Sequence, residues 1–229
     1  MIRNLKALGL ALVAMLAMGA MAVASASAQA GHISVAAPPA TLTGTDVKET
    51  AGEPTPSLTA NEEKVHCTST KVTYTATLEA ASNAELTVAP KYEDCAIGTA
   101  PATVTMNGCD YKFYDLTTVT SPHKWSILAD LQCPVEKQVE IHKYSSAHNH
   151  TTGVTTCTMT LRDEAANDGL GGTTVTEETD AKDSLRLEGT VEPTAQTHGA
   201  CSFGFTLNIK TKLHISATVS ANEAIDLTD

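Results

Sequence analysis

The chain has 229 residues, of which 42% are hydrophobic and only 4% aromatic, and its formal net charge is −11. A chain this acidic repels phosphate backbones and anionic lipid surfaces, which argues against a nucleic-acid-binding role. Some 200 residues lie beyond the N-terminal segment described next, roughly enough to bury one large core or two small ones.

Residues 1–28 read as a signal peptide. Arg3 and Lys6 give a positive start, Ala7 to Val23 is small and apolar, and Ala24-Ser25-Ala26-Ser27-Ala28 offers the small residues a signal peptidase requires. Cleavage after Ala28 fits, and Ala28-Gln29-Ala30 offers a second site. The alternative, a membrane anchor, is disfavoured because the apolar run is about 17 residues, at the bottom of the spanning range, and alanine-rich. No cysteine precedes Cys67, so no N-terminal lipid anchor is expected, and no later stretch is apolar enough to span a bilayer. Losing Arg3 and Lys6, with no acid among the first 28 residues, takes the charge from −11 to −13. The expected address is secreted, extracellular or cell-surface.

Residues 29–60 are expected to supply an N-terminal edge strand, through Ala40-Thr41-Leu42-Thr43, and then a polar linker from Asp46 to Ser57 containing Gly52, Pro54 and Pro56. Residues 61–229 are expected to form a disulfide-stapled β domain. Lys71 to Leu78 alternates Val72, Tyr74, Ala76 and Leu78 with polar residues, the period of a half-buried strand. Similar alternation marks Ala84–Ala89, Ala102–Met106, Tyr111–Tyr114, Val139–Lys143, Thr156–Leu161, Ser184–Val191, Phe203–Ile209 and Leu213–Val219. Ala81-Ser82-Asn83, Asn107-Gly108, Ser121-Pro122 and Asn167-Asp168-Gly169 punctuate these runs, and Asn107-Gly108 fits a tight turn demanding positive φ. Thr173 to Asp183 reads as a solvated acidic loop, and the only helical candidate, Asp163 to Asn167, is one turn long. The fold class predicted is all-β: an antiparallel β-sandwich, in one unit or in two small ones with sheet packed on sheet.

Six cysteines, Cys67, Cys95, Cys109, Cys133, Cys157 and Cys201, behind a signal peptide read as three disulfides rather than a metal site. There is no Cys-x-x-Cys pair for zinc. Fifteen pairings are open to six cysteines. The sequential one, Cys67–Cys95, Cys109–Cys133 and Cys157–Cys201, is expected because strand-turn-strand units bring neighbours together.

Few residues point to chemistry. His142, His148 and His150 fall close together and are the candidate metal ligands, although the Ser, Thr and Gly around the last two read as an exposed hairpin tip. Glu177, Glu178, Asp180 and Asp183 could attract calcium but lack the spacing of a formed loop. His198-Gly199-Ala200-Cys201-Ser202-Phe203-Gly204 faintly echoes a nucleophile elbow, with His198 and Ser202 as its pair, yet Ala200 stands where glycine is required and a strand follows. Trp125, Tyr111, Phe113 and Tyr114 are expected in the core rather than on a sugar platform.

Several phrases together resemble the abundant, uncharacterised secreted proteins of soil actinobacteria of the Solirubrobacter kind. They are Pro39–Thr45, Glu63–Cys67, Thr75–Leu78, Leu86–Cys95, Ala102–Cys109 and Cys133–Ile141. The resemblance spans most of residues 39–160 and implies secretion, cysteine pairing and a β fold. It carries over no catalytic residue, and the histidine-rich stretch at 142–150 departs from it. The function expected is that of a non-enzymatic extracellular or cell-surface interaction or structural protein, without cofactor, whose partner is an extracellular protein or glycan. A metal- or calcium-binding module is the alternative, and a secreted hydrolase the second alternative.

Overall fold

A computed structural model describes residues 31–46, 57–60, 63–118, 124–145, 154–162, 173–177, 184–191, 193–201, 209–222 and 224–228. Along them run β1 (His32–Val35), β2 (Ala40–Asp46), β3 (Ser57–Ala60), β4 (Glu63–Cys67), β5 (Val72–Leu78) and β6 (Ser82–Asn83). Next come β7 (Leu86–Tyr92), β8 (Cys95–Ile97), β9 (Ala100–Thr105), β10 (Asp110–Thr118), β11 (Lys124–Gln132) and β12 (Val139–Tyr144). The last are β13 (Thr155–Arg162), β14 (Thr173–Glu177), β15 (Ser184–Val191), β16 (Thr194–Gly199), β17 (Ile209–Ser220) and β18 (Ile225–Thr228). The described residues include no α-helix, only the 3-10 turn Ser69–Lys71.

Alternation sets the faces. In β5 and in β7 buried and exposed residues alternate without a break, so Val72, Tyr74, Ala76 and Leu78 point inward with Leu86 and Val88 beside them. Fifteen strands form one antiparallel sheet in the order β15-β14-β11-β10-β7-β5-β2-β17-β16-β13-β12-β9-β8-β4-β3, and both of its ends return to β17. The ladder therefore closes twice. One circuit is β17-β2-β5-β7-β10-β11-β14-β15, and the other is β17-β16-β13-β12-β9-β8-β4-β3. Opposed strands in each turn apolar faces toward one another, the sandwich principle, while closure removes the unpaired edges that an open sheet exposes. β18, β1 and β6 form a separate three-stranded sheet.

The chain builds the two circuits alternately, two strands at a time. It lays β5 and β7 in the first, β8 and β9 in the second, β10 and β11 in the first again, then β12 and β13 in the second. The long pair β15–β16 and β17 spans both. Leu185 faces Val219, Val191 faces Leu213 and Thr194 faces Lys210 in one unbroken register. Pro193 sits between β15 and β16, lacking an N–H where the strand exchanges β14 for β13 as its other neighbour.

Three of the crossings between circuits turn on residues with positive φ. Asp94 (φ 55°) lies between β7 and β8, Asn107 (54°) and Gly108 (83°) between β9 and β10, and Glu136 (63°) between β11 and β12. The Cys109 amide closes the Asn107-Gly108 turn on Met106 O at 2.8 Å, the two-residue turn with positive φ that the dipeptide announces. Two disulfides staple these crossings. Cys67 and Cys95 face each other in register between β4 and β8, and Cys109–Cys133 continues the β10–β11 pairing one step beyond Asp110 and Gln132. The third, Cys157–Cys201, joins β13 to a residue two past the end of β16. The pairing is sequential throughout.

One apolar cluster runs through both circuits, from Leu42, Tyr74, Phe113, Ile127 and Leu131 to Ile141, Met159 and Leu161. Each such side chain, removed from water, contributes roughly 1.5–3 kcal/mol of gross stabilisation. Trp125 is buried, in agreement with its assignment to the core.

Three local expectations need correction. The strand Ala40–Asp46 does not lie at a sheet edge, since β5 pairs with Ala40–Thr45 on one side and β17 with Thr43–Asp46 on the other; its alternation is that of any strand with one buried face, and alternation does not report lateral neighbours. Residues 57–60, given to the end of a linker, form β3 and pair with both β4 and β17. Thr173–Glu177, read as part of an acidic loop, is β14, held between β11 and β15. Residues 47–56, 163–172 and 178–183 lie outside the described residues.

Candidate functional site

The alternating construction leaves a groove where the circuits meet. It has a volume of about 730 Å³ and lies between Lys71, the Pro90–Cys95 end of β7 with the crossing that follows, and Pro101–Thr105 of β9 with Met106 just beyond it. β7 belongs to one circuit and β9 to the other, so the groove walls come from both. Lys91 on one wall pairs with Glu93 at 2.7 Å, and this ammonium draws the Glu93 carboxyl below its ordinary range. Both side chains are largely solvated, so the pair carries little stability. At the groove's end Thr68 Oγ1 donates to Asp94 Oδ2 at 2.8 Å, and the Thr68 amide donates to Asp94 O at 3.1 Å. These contacts hold Asp94 in its left-handed conformation beside the Cys67–Cys95 staple. On the opposite wall Thr103 Oγ1 and Tyr144 OH lie 3.2 Å apart. The groove thus offers the hydroxyls of Thr103 and Thr105, the exposed ammonium arm of Lys71, whose charge also acts on Glu93, and carboxylates already engaged by neighbours.

A second, smaller recess of about 480 Å³ lies at the β11–β12 crossing, lined by Cys133–Gln138 and Arg162. Arg162 Nε donates to Gln138 Oε1 at 3.0 Å, and the Lys137 amide donates to Pro134 O at 2.8 Å, which thrusts Val135 outward to 91% exposure.

The most strongly displaced titrations are buried ones. Tyr92 and Tyr111 share a hydrogen bond of 2.6 Å inside the first circuit, and Tyr74 is sealed beside them. Burial, which penalises the phenolate, raises all three hydroxyls above the ordinary tyrosine range. They are structural proton holders, unsuited to act as bases.

The residues singled out from sequence do not come together. His142 on β12 has Thr158 Oγ1 at 3.2 Å from Nδ1 and Glu140 Oε2 at 3.5 Å from Nε2. His148 and His150 lie outside the described residues. Among the described residues no group of three or more His, Cys, Asp and Glu could hold a metal ion. His198 is exposed on β16 opposite Thr158, and Ser202 lies outside the described residues. Of the acidic stretch only Glu177 is described, on a strand. Sequence reasoning missed the groove because its walls, near residues 71, 91 and 103, meet only through the order of strands. The single local sign was Asp94 and Asn107-Gly108 standing directly before cysteines.

No helix among the described residues is long and apolar enough to cross a membrane. Compared with known proteins, the chain matches no family model, no curated protein and no solved structure.

Proposed function

We propose that the chain is secreted and works as a non-enzymatic interaction or structural module of the cell exterior, holding an extracellular protein or glycan in the groove between its two circuits. The observation that carries this reading is the groove itself: formed by β7 and β9, with Lys71, Lys91, Glu93, Asp94, Thr103 and Thr105 as its polar lining, and stapled at its end by Cys67–Cys95. A rigid scaffold presenting polar groups from the ends of strands loses little freedom on binding. The leader-like residues 1–28 and three disulfides support an oxidising, extracellular address.

The test compares the secreted protein with Thr105→Arg, which projects a long cation from an exposed position of the groove wall. Both are immobilised and exposed to a glycan array and to cell-envelope protein. A ligand retained by the parent and lost by Thr105→Arg supports the groove. Equal retention by both proteins, or none by either, overturns it.

A further inference from the structure

The outer face of the first circuit carries an ordered array of hydroxyls. Thr41, Thr43 and Thr45 of β2 stand directly opposite Thr77, Thr75 and Thr73 of β5. Ser220 and Thr218 of β17 extend the rows beside Thr43 and Thr45, and Thr87 of β7 lies on the other flank. The six paired threonines and Thr87 are exposed, while Thr218 and Ser220 are half-buried. The array does not depend on the groove described above.

From this we propose a second activity: the face binds ordered water at the surface of ice. Three features of this face converge on that ligand. First, the repeat is regular in two directions. Alternate residues of a strand recur about every 6.4–6.8 Å and neighbouring strands about every 4.7–4.9 Å, spacings close to those of water oxygens on the growing faces of hexagonal ice. Second, the chemistry is uniform. In a chain of net charge −11, the outward positions of β2, β5 and β7 are threonines plus Ala89 and Lys91, with no carboxylate and no aromatic platform. Such a face has little to offer an ionic partner or a stacking sugar. Each threonine instead presents one hydroxyl and one methyl, which suits a lattice of oxygens separated by voids. Third, the lattice is preorganised. Threonine is restricted at χ1, and behind it Leu42, Val72, Tyr74, Leu78, Leu86 and Val88 are packed in the core. The six-threonine ladder is two strands wide, so only one interstrand twist of roughly 20–25° acts across it. Many individually weak contacts, made at once from a rigid body, sum to useful affinity.

The experiment uses the intact, disulfide-bonded protein and ice itself as the probe. Partition into a slowly growing ice hemisphere and inhibition of ice recrystallisation are measured for the parent, for Thr43→Tyr and Thr75→Tyr, and for Thr155→Tyr. Thr155 is exposed on β13 of the other circuit and serves as control. Tyrosine suits strands, and unchanged thermal midpoints show that each variant is folded. The parent and Thr155→Tyr should enter ice and suppress recrystallisation, with either lattice variant weaker by about tenfold or more. Exclusion of the parent from ice, or equal activity in a folded Thr43→Tyr or Thr75→Tyr, overturns the proposal. A folded Thr155→Tyr that loses activity along with the others overturns the assignment to this face.

Discussion

Gly199 offers the sharpest quantitative test of the local architecture. It sits at the end of β16 with φ +91°, and a Cβ built there meets Thr156 O at 2.7 Å. That oxygen cannot retreat freely, because it accepts the Ala200 amide at 2.7 Å and lies next to Cys157 of the third disulfide. Gly199→Ala therefore combines two costs: a backbone in the left-handed region, roughly 1–3 kcal/mol, and a collision with main chain, roughly 1–3 kcal/mol. The alanine recovers about 0.4–1 kcal/mol by restricting the unfolded chain. Gly98 supplies the comparison, since its φ is +61° but a Cβ there meets nothing within 4 Å. Gly98→Ala carries the backbone cost alone. Expected losses are about 2–4 kcal/mol for Gly199→Ala and about 0.5–2 kcal/mol for Gly98→Ala, with the collision as the difference. Urea unfolding of the oxidised protein, followed by fluorescence of the one tryptophan, Trp125, reads both values. Equal losses for the two variants would refute the steric argument, and a Gly199→Ala as stable as the parent would refute the turn geometry.

Further outcomes follow from the core and the staples. Replacing Cys109 and Cys133 together by serine should cost about 3.5 kcal/mol, and Cys157 with Cys201 about 4 kcal/mol because the loop closed is longer; denaturant midpoints of the two double variants check the order. Tyr92→Phe leaves Tyr111 OH without its 2.6 Å partner in a sealed core and should cost about 1–3 kcal/mol, whereas the double Tyr92→Phe, Tyr111→Phe protein should recover part of that loss. A double-mutant cycle showing no coupling between these hydroxyls would count against the network. The three buried tyrosines also set an alkaline limit. Their folded values lie above the unfolded one. Below about pH 10 both states hold the protons and the groups do not affect folding. As pH rises past that point the unfolded chain ionises while the folded core resists, so stability falls. Unfolding midpoints between pH 9 and 12 should decline more gently in Tyr92→Phe than in the parent.

Much of the strand content could be read from residue alternation. Val72 to Leu78 and Val139 to Lys143 declare their faces because each has one side in the core and one in water. β11 escaped notice although Trp125, Ile127, Ala129 and Leu131 alternate inward, because outward Leu128 fills in the pattern and makes the run look uniformly apolar. β14 escaped for the opposite reason: Thr173-Thr174-Val175-Thr176-Glu177 has one apolar residue, and its strand character comes from pairing with Trp125 and Leu187 on either side. The three disulfides were legible in the even cysteine count. The double closure was not. Alternation fixes which face of a strand is buried and carries no information about its lateral neighbours, and β17 meets β2 and β3 from more than 150 positions away in the chain. The groove depends on that long-range order and was hidden with it, whereas the threonine array was visible as two alternating runs whose juxtaposition only the β2–β5 register reveals.

The double circuit stands or falls on β17, and native-state hydrogen exchange of Ile209–Ser220 tests it most directly. Shared by both circuits, this strand pairs with β15 and β16 on one side, and on the other with β3 along Thr211–Leu213 and with β2 along Ala217–Ser220; the amides of those two segments should be protected as strongly as those of the interior strand Val72–Leu78, opening only with global unfolding. Exchange at the rate of a one-sided edge, with Val72–Leu78 still protected, would mean that the sheet is open at β17 and that the two circuits do not close.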